Sequence, residues 1–255
     1  MAAVTLSKTA TASVIDLVDV SIGYGNDAPP VLVDVNLSVE RGSFVAIVGP
    51  SGVGKSTLLR VAAGLHTARS GGVTIHQDQR PGHRPVGLVF QDSRLLPWRR
   101  VIRNVEFGLE GLPVSRDERR HRAEAALKLV RLDGYARRWP YELSGGQRQR
   151  IGIARAMAVD PDILLMDEPF GALDAITRHN LQDELRRIHQ ETGKTVLFVT
   201  HDLEEAVHLA DRIIVLGGTP ARVVRDVRNS AGRDGAVFRD QVEQLRSEIA
   251  DNYSI

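Results

Sequence analysis

The sequence predicts an α/β fold: a mostly parallel sheet core with an antiparallel β subdomain and an inserted helical subdomain. Three observations predict it. Short continuous apolar runs recur along the chain, each ending in Gly, Pro or a polar group and followed by helical spacing, as parallel strands covered on both faces do. The first 40 residues instead hold short alternating stretches around a Gly/Pro-rich turn, the pattern of antiparallel strands. From about Ser93 to Leu143 helical periodicity dominates.

In order along the chain, residues 1–13 are Ala/Thr/Ser-rich, lack the apolar stretch of a secretory signal, and are expected to be flexible. Residues 14–20, 31–37 and 37–40 predict the antiparallel strands, joined by the turn at 23–30. Five core strands follow at 44–48, 86–90, 163–166, 195–199 and 213–216. Residues 116–132 carry Ala123, Leu127 and Val130 at helical spacing among many charges. Val242, Leu245 and Ile249 stand at i, i+3 and i+7, which predicts a C-terminal helix within 238–255. The organisation expected is one domain over 14–237, with a core from 14–92 and 158–237 and a helical subdomain over 93–157. The tail beyond Leu216 is too short for an added regulatory domain.

Composition narrows the function. The 255 residues hold 33 Lys+Arg and 32 Asp+Glu, a formal net charge of +1, which excludes a bulk polycation built for nucleic acid. Cysteine is absent, which excludes disulfides, thiolate metal sites and a Cys nucleophile. No apolar run approaches the ~20 residues of a membrane span. Residues 94–122 hold eight Arg and four acidic residues; that excess reads equally as a solvated helix face or a partner-docking surface.

In parallel sheets ligands sit beyond the carboxyl ends of the strands. Gly49, Pro50, Ser51, Gly52, Val53, Gly54, Lys55, Ser56 and Thr57 fit G-x-x-x-x-G-K-S/T between a predicted strand and a predicted helix. The four fixed positions would recur by accident in roughly one chain of this length in a hundred. The glycines let backbone N–H groups turn inward around a phosphate, and the helix start adds partial positive charge. Lys55 is a point charge for the outer phosphates, and Ser56 offers its hydroxyl to Mg²⁺. Asp167 and Glu168 follow the strand at 163–166: Asp167 is expected to hold the metal and Glu168 to polarise an attacking water. His201 ends another strand and can donate to charge on the transferred phosphoryl group. Gln91 can ligate Mg²⁺ or hold the water through its amide oxygen.

Leu143, Ser144, Gly145, Gly146 and Gln147 form a second, rarer motif. Ser144 can cap the next helix, and Gln147 stands at the capping-box spacing. Two glycines bare the positive end of that helix to a phosphate. One nucleotide cannot readily touch both anion sites within one chain. The second site is therefore expected to serve a nucleotide held by another copy, in a two-fold head-to-tail pair with two ATP molecules between them.

These motifs resemble the ATP-binding cassette, the motor subunit of ABC transporters, over nearly the whole length. The resemblance implies Tyr24 stacking on adenine, residues 49–57 as Walker A, Gln91 as Q-loop, 143–147 as signature, Asp167 and Glu168 as Walker B and catalytic base, Asp174 closing a D-loop, and His201 as switch histidine. Residues 90–105, 139–146 and 172–178 are similar to the nitrate/sulfonate/taurine import group, and within it to the aliphatic-sulfonate branch. That implies an importer ATPase at the cytoplasmic face of the membrane, with MgATP, a second copy of itself and membrane permease subunits as partners, a solute-binding receptor acting indirectly, and no nucleic acid. Leu95, Leu96, Pro97 and Trp98 would supply an apolar socket for the permease, with Arg99 and Arg100 at its rim. Residues 72–85 are polar and carry no clear copy of the family's strand and turn. A chromosome or repair cassette would carry a coiled-coil insertion or zinc cysteines, a ribosome-bound one two cassettes, and a P-loop kinase would not need residues 143–147.

Overall fold

The computed structural model describes residues 4–7, 13–23, 28–76, 80–229, 240 and 242–247. In chain order the elements are β1 (Val4–Ser7), β2 (Ser13–Gly23), β3 (Pro30–Glu40), β4 (Phe44–Val48), α1 (Lys55–Ala62), β5 (Ser70–His76), β6 (Val86–Val89), α2 (Val101–Phe107), α3 (Arg116–Leu129), α4 (Gly145–Met157), β7 (Ile163–Asp167), α5 (Ala175–Thr192), β8 (Thr195–Thr200), α6 (Leu203–Leu209), β9 (Arg212–Gly217) and β10 (Arg222–Arg228). The chain divides into two compact units: Met1–Gln77 with Thr195–Ile255, and Asp78–Lys194.

The first unit holds two groups of strands. In one the order is β1-β5-β2-β3, with β2 antiparallel to both β3 and β5. Val14, Ile15, Val20, Ile22, Val35 and Val39 are fully buried, so the apolar phase of these strands faces a core. In the other, β4 lies parallel between β8 and β9, and β10 is antiparallel to β9. Every residue of β4 and β8 is buried, which explains their unbroken apolar runs. Phe44 and Phe198 meet edge-to-face with centroids 5.6 Å apart, a favoured aromatic geometry. Residues 242–247 are helical with Val242 and Leu245 buried; Ile249 lies outside the described residues.

Within residues 1–13, Val4–Ser7 forms β1, parallel to β5; a Val-Thr-Leu run with good strand propensity completes an open sheet edge. Residues 72–85 read as lacking the strand, yet β5 occupies Ser70–His76 and buries Val73 and Ile75. Its apolar signal is only two residues, and pairing with β1 and β2 makes it a strand. The strand β10 shows no clean alternation in the sequence, because its arginines interrupt it.

The second unit reaches beyond 93–157. It includes the parallel pair β6 and β7 and the helix α5. A β carbon on Gly87 would lie 2.7 Å from the Ala156 carbonyl oxygen, so β6 and α4 touch backbone to backbone. Ala123, Leu127 and Val130 are fully buried, as is Ile151. Fully buried Asn104 ties the preceding loop to α2: its Oδ1 accepts from Leu96 N at 2.7 Å and its Nδ2 donates to the Arg99 carbonyl at 2.8 Å. Unmade, such bonds would strand buried polar groups. Among the described residues no helix is long and apolar enough to cross a membrane.

Candidate functional site

In the first unit, Val48 pairs with Thr200 across the parallel β4–β8 ladder. The loop after β4 and the residue after β8 therefore leave the same sheet edge, which places residues 49–57 and His201 together there. Gly54 starts α1 at φ 99°, and a β carbon on it would come within 2.8 Å of Leu32 Cδ1. Both the backbone conformation and the space require glycine. Lys55 is buried, and its Nζ donates to the carbonyls of Gly49 and Pro50 at 2.8 Å each. Its ammonium is thus held over its own loop. No acidic residue stands in the first turn of α1, so nothing offsets the positive helix start. Ser56 is half-buried, Thr57 buried, and Ser51 and Gly52 exposed. His201 is exposed. Its turn is fixed by Thr200 Oγ1, which donates to buried Glu205 at 2.6 Å, and by Asp202, which accepts from the N–H groups of Glu204 and Glu205.

In the second unit, Val89 pairs with Met166, so Gln91, Asp167 and Glu168 leave one strand edge. Glu168 adopts φ 44°, a costly conformation for a non-glycine residue. Gln91 lies over the following loop: its Nε2 would stand 2.9 Å from a β carbon on Gly171. Asp174 caps α5, accepting from Thr177 N at 3.0 Å. That N–H holds the Asp174 carboxyl below its ordinary range.

The reciprocal cap expected at residues 144–147 is present. Ser144 Oγ accepts from Gln147 N at 3.3 Å, and Gln147 Oε1 accepts from Ser144 N at 2.9 Å. Ser144 and Gly145 are exposed at this helix start. Gly145 and Gly146 face the loop and first turn around Asp174: β carbons on them would lie 3.4 Å from Leu173 Cδ2 and 2.4 Å from Thr177 Cγ2. Tyr24 lies outside the described residues.

Two further residues of α4 were not singled out from the sequence. Gln149 Nε2 donates to the Phe90 carbonyl at 2.8 Å, and Arg155 donates to the carbonyls of Ser93 and Arg94 at 2.6 and 2.9 Å. Together they bracket the segment carrying Gln91 and tie it to the helix that begins at Ser144. Burial, then the charge of neighbouring Arg94, pulls the Arg155 guanidinium below its usual value.

Ser56 in the first unit, and Gln91 and Asp167 in the second, each offer a hard oxygen of the kind Mg²⁺ takes, and Mg²⁺ is usually held by one or two carboxylates plus substrate phosphates. Among the described residues no group of three or more His, Cys, Asp or Glu could form an all-protein cage.

A second surface lies in the same unit. Leu95 and Leu96 are half-buried, Pro97 is exposed and Trp98 is 70% exposed. Arg99 pairs with Glu110 at 2.5 Å and lies over the Phe107 ring; Arg100 lies 4.6 Å over the Trp139 ring. A recess of about 410 Å³ adjoins Phe107, floored by Val86, Leu88 and Phe90 and bounded by Arg84, Arg94 and Glu110.

The ABC transporter family matches residues 32–171. The taurine import ATP-binding protein TauB of Pseudomonas syringae pv. tomato is 47% identical over 223 residues, covering 87% of this chain and 85% of that protein. TauB of Yersinia pestis bv. Antiqua is 47% identical over 207 residues, covering 80% of each. Among solved structures, the ATP-binding cassette MJ0796, dimeric and bound to ADP and Pi, is 36% identical with a TM-score of 0.70, covering 84% of this chain and 98% of that one. The cbiO1 subunit from Clostridium perfringens, part of the ABC transporter complex cbiONQ, is 26% identical with a TM-score of 0.78, covering 94% of this chain and 96% of that one. With a family match over more than half its length and relatives 47% identical over most of it, this chain belongs to the ABC transporter family.

Proposed function

We propose that the chain is the ATP-hydrolysing subunit of an importer, energising uptake of aliphatic sulfonates through a separate membrane permease from the cytoplasmic face. What carries this is the start of α4: an exposed helix end with a closed capping box and two glycines, a second anion-ready terminus besides the loop at 49–57. A lone phosphotransferase has no use for it. Two copies each offer their residues 144–147 and Asp174 to the nucleotide held by the other.

Within each copy, Lys55 and the backbone N–H groups of 49–57 hold the phosphates, and Tyr24 stacks on adenine. Ser56, Gln91 and Asp167 hold Mg²⁺, which when bound neutralises phosphate charge and lowers the barrier to displacement. Glu168 orients and polarises the attacking water. His201 donates a hydrogen bond to the transferred group. ATP favours the closed pair because it is gripped from two sides. A swing from 1:99 to 99:1 needs about 5.5 kcal/mol of differential affinity. The apolar recess and the exposed Trp98 receive a segment of the permease, and a solute receptor acts through that permease.

The names of the similar relatives favour a second reading, with taurine as the solute. Deleting the gene and supplying one sulfur source at a time separates the two. Lost growth on simple alkanesulfonates supports the first reading, and loss confined to taurine supports the second. Undiminished growth on both counts against either.

A further inference from the structure

We propose that a recess formed by α2 and α3 binds a phosphate-class anion: the phosphate of a lipid headgroup or of a small soluble molecule. The recess measures about 240 Å³ and is lined by Arg103, Glu106, Arg116, Asp117, Arg119 and Arg120. Pockets for drug-sized ligands run to about 300–1,000 Å³, so this one suits a single charged group.

Four guanidiniums face two carboxylates there, an excess of two positive charges. One carboxylate is already committed. Buried Glu106 takes Arg103 Nη1 at 2.7 Å and Arg120 Nη1 at 3.6 Å. Arg120 also gives its Nε to Glu124 at 2.6 Å. Arg119 is left over: its Nε is buried and has no hydrogen-bond partner. Among the described residues neither Arg116 nor Arg119 has a carboxylate within ion-pair distance.

The placement sharpens the imbalance. Arg116, Arg119 and Arg120 stand at i, i+3 and i+4, one face of one helix, where like charges repel. They also occupy the beginning of α3, just past the Ser115 cap, where the helix dipole disfavours cations. Asp117 and Glu118 share this turn, but Glu118 is taken by Arg122 at 2.5 Å, and among the described residues Arg116 and Arg119 stay unpaired. A bound anion relieves the repulsion, gives the Arg119 Nε an acceptor and profits from the dipole. Phosphate suits these donors, because its non-bridging oxygens accept from guanidinium forks in bidentate fashion. This recess shares no residue with the loop at 49–57 and does not depend on the transport reading.

The test uses the full chain in metal-free buffer with residues 49–57 saturated by ADP. One arm titrates inorganic pyrophosphate by calorimetry. The other measures flotation with phosphatidylcholine vesicles, with and without phosphatidylglycerol. Binding in the first arm alone assigns a soluble phosphate, and binding in the second assigns a lipid headgroup; either supports the site. In whichever arm binds, Arg116→Gln with Arg119→Gln should weaken binding about tenfold, while Arg41→Gln, an exposed arginine elsewhere, should not. The paired Arg→Lys variant, which keeps charge but loses the forks, should fall between and decides the matter if the Gln pair melts early. No binding in either arm, binding untouched by both paired variants, or an equal loss with Arg41→Gln overturns the proposal.

Discussion

Gly146 and Thr177 are in contact: a β carbon on Gly146 would lie 2.4 Å from Thr177 Cγ2. The second residue of α4 thus rests on the first turn of α5, the turn capped by Asp174. Thr177 is β-branched and stiff at χ1, so it cannot swing aside cheaply. Gly146→Ala should cost about 1–3 kcal/mol of stability through overpacking and lower ATP turnover. Thr177→Ser removes the offending methyl, and adding it to Gly146→Ala should restore most of the melting temperature. An unchanged melt for Gly146→Ala alone would show that the two helices part freely.

Glu168→Gln should leave nucleotide affinity intact and slow turnover by about 10²–10⁴, the range expected when a positioned base is lost. Size-exclusion in MgATP should then reveal a trapped pair of chains. A variant that stays monomeric and active would remove Glu168 from its proposed role.

Ser144 separates helix capping from nucleotide contact. Ser144→Ala should cost about 1 kcal/mol through loss of the cap. Ser144→Arg should abolish hydrolysis while a single chain still binds nucleotide with normal affinity, because the residue is proposed to serve the other copy. Fluorescent-nucleotide titration of the dilute chain checks this; a matching loss of affinity would place Ser144 at its own chain's nucleotide instead.

Acid should weaken one ion-pair cluster in a definite window. Burial raises the Asp160 carboxyl, but the hydrogen bond and charge of Lys194, with Arg80 beside it, outweigh that and leave it below its ordinary 3.8. A carboxylate whose folded value is depressed contributes its full stabilisation above the unfolded value and loses it as pH falls through the folded one. Asp160 is 39% exposed, so screening keeps the contribution under about 1 kcal/mol. The stability gap between the natural chain and Lys194→Met should therefore be constant near neutrality and shrink below about pH 4. Urea melts across pH measure it, and a gap that persists at about pH 3 would contradict the assignment.

Much of the site was legible because its information is local. The loop at 49–57 needs consecutive residues, a preceding strand and a following helix, and all of these lie within about twenty positions. The box at Ser144 and Gln147 closes within one helical turn. Other features were not legible, since their partners are distant in sequence. The strand β5 exists because β1 and β2 flank it. Gln149 and Arg155 matter because they reach carbonyls about sixty residues away. The arginine-rich stretch from 94 to 122 looked uniform, yet folding pairs Arg99, Arg103, Arg120 and Arg122 with carboxylates and leaves Arg116 and Arg119 facing a recess.

Read alone, the amino acids determined which candidate groups are present: a Gly-rich loop before a helix, a bared helix start, two carboxylates and a histidine at strand ends. Such groups act through backbone dihedrals and hydrogen bonds spanning a few residues, and the local order of residues encodes those directly. Tertiary packing decided which charges are neutralised, which segment α4 grips and which short run becomes a strand. These outcomes depend on groups brought together only when the entropy of closing long loops has been overcome, so no window of sequence contains them.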